Sequence, residues 1–275
     1  MPELPEVETT RRGIAPLIVG QPIEDFIIYH PQLRWPVCQS LPTRLQNQTV
    51  QSCKRRGKYL LVGFDKGYQM IHLGMSGSLR HVSAGQPLEK HDHAEWRLPG
   101  VRIVYNDPRR FGAILWHDKA DGPIEQHPLL SRLGVEPFSD EFTVQTLIKG
   151  FKNRRQAVKN TLLSGQIVVG VGNIYASEAL FKAGINPQAP AGSLSAYRLT
   201  RLHRAIVDTL QAALEAGGST IRDYLNATGE AGAYFELHAQ VYDREGQPCP
   251  RCQRPIKRIV QAQRATYFCS HCQRH

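Results

Sequence analysis

The chain has 275 residues, enough to bury a sizeable core and typical of about two domains. Its apolar and charged fractions, 41% and 21%, are those of a globular protein, and no apolar run approaches the roughly 18 to 20 residues that a membrane span needs. Lys and Arg number 34 against 24 Asp and Glu, a net charge of +10 that points to a polyanionic partner, nucleic acid first, and says nothing about fold.

The opening Met1-Pro2-Glu3-Leu4-Pro5-Glu6-Val7-Glu8 carries prolines and glutamates where a secretory leader would be basic and then apolar, so the sequence predicts a cytoplasmic protein. One reading is an acidic helix start, since Pro and Glu are favoured in a first turn. The other is chemical: removal of Met1 leaves a secondary amine on Pro2 with carboxylates at Glu3 and Glu6, and a molecule that keeps Met1 has that amine displaced. Pro5 to Gly13 then reads as a short helix, with Arg11 and Arg12 near its end and Gly13 as the stop.

From Ile23 to about Trp116 the pattern turns to seven short β-rich runs, DFIIYH, TVQSCKR, KYLLVGF, YQMIHLG, EWRLP, VRIVYND and AILWH, broken by Gly, Pro and Asp. That spacing predicts a two-layered antiparallel sandwich or barrel. Irregular sequence follows, and 131–140 reads as a linker. Thr143 to Phe151, Arg155 to Leu163, Asn173 to Ala183 and Ala196 to Ala216 carry helical spacing, with Gly150, Gly165, Gly184 and Gly217-Gly218 as stops. Ile167 to Asn173 is a Gly-bearing turn that delivers Asn173 to a helix start, either as an ordinary cap or as a phosphate site. Gly217 to Tyr234, rich in Gly, Ser, Thr and Ala, reads as a ligand-covering loop.

Cys38 and Cys53 are isolated, but Cys249-x-x-Cys252 and Cys269-x-x-Cys272, sixteen residues apart, have the spacing of a four-thiolate zinc site. Redox pairs or free thiols are the alternatives. Four thiolates leave no open position, so such a metal is structural. Between the pairs, Ile256 to Gln261 and Thr266 to Phe268 form a hairpin whose tip, near Ala262 to Ala265, carries Gln263 and Arg264. A basic tip can reach DNA phosphate, or it is simply a solvated arginine.

These motifs together resemble bacterial formamidopyrimidine-DNA glycosylase. They are PELPEVET, KYLL with Lys58, HLGMSGSLR, EKHDH, DPRRFG, VVGVGNIYASE and the zinc hairpin with QRATYFC, running from residue 2 to residue 272. The resemblance implies an α+β chain of two domains. An N-terminal catalytic β-sandwich (1–130), preceded by a short helix, would be joined by the 131–140 linker to a helix-two-turn-helix domain (141–235) and a β-hairpin zinc finger (236–275). It implies a monomer that binds duplex DNA, excises 8-oxoguanine and formamidopyrimidines in base excision repair, and cuts at the abasic site, with one structural Zn2+ and a bacterial nucleoid address.

Residue by residue, the resemblance makes Pro2 the nucleophile, Glu3 the general acid/base, Glu6 a supporting carboxylate, Lys58 a proton donor and Arg264 the residue assisting δ-elimination. Met75, Arg109 and Phe111 match the trio that fills the hole left by the flipped nucleotide. His91, Lys159 and Asn173 match phosphate contacts, Glu178 the region behind Asn173, and the 217–234 loop the cover over the base. Where many relatives carry a lysine run, this chain has Asn153-Arg154-Arg155-Gln156, so Arg155 stands for a phosphate-binding lysine, and Arg is not equivalent to Lys there. Two other readings remain: a sister glycosylase for oxidised pyrimidines, and a zinc-finger DNA-binding protein without chemistry.

Overall fold

The computed structural model describes residues 2–219 and 233–275. The chain divides into two compact units, one of Met1–Ser131 with Ala216–Ala233 and the other of Arg132–Glu215 with Tyr234–His275.

The first unit opens with α1 (Leu4–Ile18), which runs past Gly13 and takes Pro16 into its last turn. The expected stop at Gly13 is overridden by packing. Val7, Ile14 and Ile18, on one face of the helix, are buried in the core. After α1 come β1 (Asp25–Ile28), α2 (Leu41–Leu45), β2 (Ser52–Arg56), β3 (Tyr59–Gly63), β4 (Gly67–His72), β5 (Ser78–Val82), β6 (Asp92–Leu98), β7 (Val101–Asn106) and β8 (Ala113–Asp118). They form two four-stranded antiparallel sheets, β1-β6-β7-β5 and β2-β3-β4-β8.

Both sheets contribute to one apolar core, where Phe26 and Trp96 pack with ring centroids 4.9 Å apart. Trp96 Nε1 donates across the core to Gln69 Oε1 at 2.8 Å, which satisfies the indole that burial would otherwise penalise. β5 is a strand that the sequence pattern does not reveal. Its five residues follow the turn glycines Gly74 and Gly77, and only pairing with β7 makes them a strand.

The second unit holds α3 (Val144–Phe151), α4 (Val158–Leu163), α5 (Asn173–Ala183), α6 (Ala196–Glu215), α7 (Tyr234–His238) and the hairpin β9 (Lys257–Gln261) and β10 (Arg264–Phe268). Thr143 caps α3, its Oγ1 accepting from the Thr146 N–H at 3.3 Å. Gly150 is inside α3 and stops nothing; a Cβ there would press on Ile167, so the glycine serves packing. Gly165 and Gly184 do sit at helix ends with φ of 67° and 69°. α4 begins at Val158, later than the expected Arg155. Among the described residues, no helix is long and apolar enough to cross a membrane.

Candidate functional site

In the first unit, Pro2 is buried immediately ahead of Glu3, the N-cap residue of α1. Glu3 is 1% exposed and Glu6 0%. Glu6 Oε2 accepts from the Glu3 backbone N–H at 2.7 Å, so the carboxylate one turn on satisfies a donor that the helix start leaves open. Its Oε1 accepts from the Ser219 N–H at 2.7 Å and the Ser219 hydroxyl at 2.9 Å. The positive end of the helix dipole therefore lies next to Pro2, with Glu6 fixing the first turn. Met1 falls outside the described residues.

Lys58 sits in the two-residue turn that joins β2 to β3. Gly57 takes the positive φ, 57°, that such a turn wants at its first central position. α1 packs on both strands. The Lys58 charge is felt at His72, whose imidazole is held down at about 4 by burial first and then by Lys58 and Arg34. His72 is thus neutral near pH 7, and its Nδ1 accepts from the Gly74 N–H at 3.0 Å at the start of the Met75 turn.

The Met75 turn and the Arg109–Phe111 loop are stacked on each other by glycines. A Cβ at Gly74 would overlap the backbone of Phe111 and Gly112, and one at Gly112 would overlap the Tyr105 hydroxyl. Met75 is 38% exposed and Phe111 46%, large apolar side chains left in solvent, with the Arg109 guanidinium 5.0 Å from the centre of the Phe111 ring. Asp107, 0% exposed, holds both loops. Its Oδ1 accepts from the Ser76 hydroxyl at 2.7 Å, and its Oδ2 accepts from the Gly112 N–H at 2.8 Å and Tyr105 Oη at 3.2 Å. Ser76 Oγ in turn accepts from the Arg109 N–H at 3.2 Å. Neither Asp107 nor Ser76 is marked out by the sequence pattern, where the available signal is an Asp-Pro turn inside DPRRFG.

His91 is half-buried with φ of 132°, a strained conformation for a residue with a side chain. It is held because its carbonyl accepts from the Asp107 N–H and because Asp92 accepts from the Glu89 N–H, Arg80 and Asn106. The strain is therefore built into the loop that carries the imidazole.

The 217–234 loop falls largely on 220–232, outside the described residues. Its described feet are Ser219 and Ala233, which form an antiparallel bridge.

In the second unit, Lys159, expected as a phosphate contact, and Glu178, expected behind Asn173, are both inside the protein. Lys159 is 0% exposed, and its ammonium donates to Asn173 Oδ1 at 2.6 Å, the Ala265 carbonyl at 3.0 Å and Thr266 Oγ1 at 2.7 Å. An ammonium has three protons, one for each of these three acceptors. Glu178 is also 0% exposed, and it accepts from the backbone N–H groups of Gln240, Val241 and Tyr242 at 2.8–2.9 Å. Burial pushes its carboxyl above its ordinary value while those donors pull it back. Glu178 anchors the chain that enters the zinc hairpin.

Asn173 does not cap α5. Gly172 is the N-cap, and Asn173 Nδ2 donates to the Ala265 carbonyl at 2.9 Å and Tyr242 Oη at 3.4 Å. Arg155 is exposed and lines an open surface pocket with Asn153, Arg154 and Ser193.

Arg264 is exposed at the start of β10. Arg264 pairs with Gln261, so the turn is only Ala262 and Gln263, tighter than expected, with φ of 45° and 62°. Both positions are normally filled by Gly, Asn or Asp, so this tip stores backbone strain.

The sulfurs of Cys249, Cys252, Cys269 and Cys272 all lie within 4.8 Å of one another. Cys252 and Cys269 are 3.5 Å apart and Cys249 and Cys272 3.9 Å, and a tetrahedral zinc with Zn–S of about 2.3 Å requires edges of about 3.8 Å. Burial, and then hydrogen bonds with its cysteine neighbours, push the Cys272 thiol up to about 12. A divalent cation reverses this by taking four thiolates, so the donor set fits one structural zinc.

Family models match three parts of the chain. They are the formamidopyrimidine-DNA glycosylase N-terminal domain at residues 1–114, the H2TH domain of the same enzyme at 133–224 and the zinc finger found in FPG and IleRS at 246–274. Formamidopyrimidine-DNA glycosylase of Bordetella avium is 55% identical over 274 residues, and that of Burkholderia multivorans 51% over 276, each covering 100% of both chains. A point mutant of the Lactococcus lactis FPG, solved with Fapy-dG-containing DNA, superposes with a TM-score of 0.90 at 34% identity and covers 100% of both chains. The FPG protein of Thermus thermophilus gives 0.88 at 39%, covering 99% of this chain and 98% of that one.

Proposed function

The chain belongs to the formamidopyrimidine-DNA glycosylase family, and we propose that its chemistry runs through the Pro2 amine once Met1 is gone. The protein is a base-excision-repair DNA glycosylase with abasic-site lyase activity. The damaged base is unreachable inside a duplex, so its nucleotide is flipped out at a cost of a few kcal/mol. Phe111 as an apolar wedge, Met75 as an adaptable filler and Arg109 as a donor fork fill the vacated stack.

The Pro2 nitrogen attacks the sugar C1′, the glycosidic bond breaks, and the base leaves with a proton. Glu3 handles protons at the opening sugar ring. Because proline's amine is secondary, the Schiff base is an iminium cation without an N–H to lose. It draws electrons from C2′, whose proton is removed as the C3′–O bond breaks and the 3′ phosphate leaves. A second elimination expels the 5′ phosphate. Lys58 supplies protons and Arg264 supports the departing 5′ phosphate. His91 and Arg155 contact the DNA backbone.

The observation that carries this reading is the N-terminal arrangement: Pro2 at the positive end of α1, with Glu3 1% exposed beside it and Glu6 locking the turn. Its test is borohydride reduction on an 8-oxoguanine:C duplex, which traps the wild-type protein covalently and leaves Pro2→Gly with little adduct. No adduct from fully processed protein rejects the Pro2 role. Preference for thymine glycol over 8-oxoguanine rejects the purine substrate.

Residues 1–130 form the catalytic domain in this reading, 131–140 the linker, 141–235 the helix-two-turn-helix domain and 236–275 the zinc finger. The protein works as a monomer in the bacterial cytoplasm, at the nucleoid where its substrate lies.

A further inference from the structure

Lys159 belongs to a short helix, and its buried ammonium donates to three acceptors of the second unit. Two of its partners, the Ala265 carbonyl and Thr266 Oγ1, lie on β10, and the third is the Asn173 side-chain oxygen. Asn173 Nδ2 returns to the same Ala265 carbonyl, closing a ring of bonds around one main-chain oxygen. Ala265 directly follows Arg264, which stands at the end of a two-residue turn whose positive φ values strain it. A strained tip keeps one geometry only when its surroundings over-determine it. The ammonium is the charged group in that clasp.

We propose that Lys159 is a positioning residue: through the Ala265 carbonyl and the Asn173 amide it fixes β10 and so aims Arg264, and it does not itself hold DNA phosphate. The inference rests on the reading that Arg264 assists departure of the 5′ phosphate. Lys159 differs from a phosphate lysine in a measurable way. A phosphate contact releases a counterion, so its loss lowers the salt slope of DNA binding by about 0.9. A buried cation with protein acceptors contributes no such release. Displacing a working group by even about 1 Å costs up to about a hundredfold in rate.

The experiment uses the full zinc-loaded chain on an abasic-site duplex, comparing Lys159→Met, Thr266→Val, Arg264→Ala and the Lys159→Met/Arg264→Ala double variant. Zinc content, the slope of log affinity against log salt, and the rates of β- and δ-elimination are measured for each. Lys159→Met should keep the wild-type slope and slow δ-elimination relative to β-elimination by on the order of tenfold to a hundredfold. Little should be added by Lys159→Met once Arg264 is already alanine. Thr266→Val removes one acceptor without touching the lysine and should shift the products the same way by less, which keeps the idea testable if Lys159→Met fails to fold.

A slope lower by about 0.9 with an unchanged product ratio makes Lys159 a phosphate ligand and overturns the proposal. Independent, multiplicative effects of the two substitutions overturn it as well. If Arg264→Ala alone leaves δ-elimination intact, the role of Arg264 is what fails, and the positioning claim falls with it for that separate reason.

Discussion

Ser219 gives both its backbone N–H and its hydroxyl to one oxygen of Glu6, while the other oxygen of that carboxylate holds the Glu3 N–H. A single buried side chain thus joins the first turn of α1 to the foot of the 220–232 segment. Hydrogen bonds to a charged group contribute about 1.5–3 kcal/mol each, and a buried donor left alone costs about 1–3 kcal/mol. Ser219→Ala is expected to lower stability by about 1–2 kcal/mol, and Glu6→Ala by about 3 kcal/mol or more, because it strands two buried N–H groups. Urea unfolding checks both values, and Glu6→Ala should also slow borohydride trapping.

Asp107 predicts a second effect. Asp107→Asn turns an amide NH2 toward donors that now face a carboxylate oxygen, at a cost of about 2–3 kcal/mol. The two loops it ties carry Met75, Arg109 and Phe111, so discrimination among bases opposite the lesion should fall by on the order of tenfold. Excision rates from 8-oxoguanine duplexes with C and with A opposite provide the measurement; unchanged ratios would show that the loops hold without the carboxylate.

His72 makes stability depend on pH. Its ordinary value is 6.5 and its folded value about 4, so between those limits the unfolded chain binds the extra proton. The stabilisation is fully present above pH 6.5 and is lost as pH falls toward 4, on the order of 3 kcal/mol in all. His72→Gln keeps an acceptor for the Gly74 N–H and cannot titrate. Its unfolding free energy should therefore drop less than that of wild type between about pH 7 and about pH 4.5; parallel curves would exclude His72 as the source.

Zinc supplies the next expectation. Cys252→Ser, or chelation, removes a sulfur or the cation from a hairpin of only two strands, which is marginal by itself. Affinity for lesion DNA should fall at least tenfold while the far-ultraviolet signal of the first unit's sheets persists. Unchanged affinity would make the hairpin dispensable for binding.

The strained tip gives the last. Gln263→Gly removes a left-handed cost of about 1–2 kcal/mol and should raise the unfolding midpoint of the zinc hairpin. The same freedom should loosen Arg264, so δ-elimination is expected to slow even as stability improves.

Much of this architecture is written locally in the chain. Cys249, Cys252, Cys269 and Cys272 announce their site by spacing alone, and most strands announce themselves by β-rich runs between turn residues. Lys159 and Glu178 escape such reading, because a charged residue looks alike on a surface or at the centre of a polar clasp until its acceptors or donors are known. Those partners lie far along the chain, at Ala265 and Thr266 for Lys159 and at Gln240 to Tyr242 for Glu178. Asp107 is legible only as a turn former, since its use depends on Ser76 and Gly112 arriving from other loops. Gly13 and Gly150 mislead in the opposite sense: each looks like a helix stop, and each lies within a helix whose packing outweighs its intrinsic preference.

The oxygen at the centre of the Lys159 clasp belongs to the main chain. Every residue type carries that carbonyl, so the acceptor survives any change at position 265 that the backbone tolerates. The donors have no such redundancy, because Lys159 and Asn173 act through side-chain atoms. Mutational robustness is therefore lopsided here: drift at position 265 is buffered, and the burden of holding the hairpin falls on the side chains of Lys159 and Asn173, far upstream, and of Thr266 beside the carbonyl.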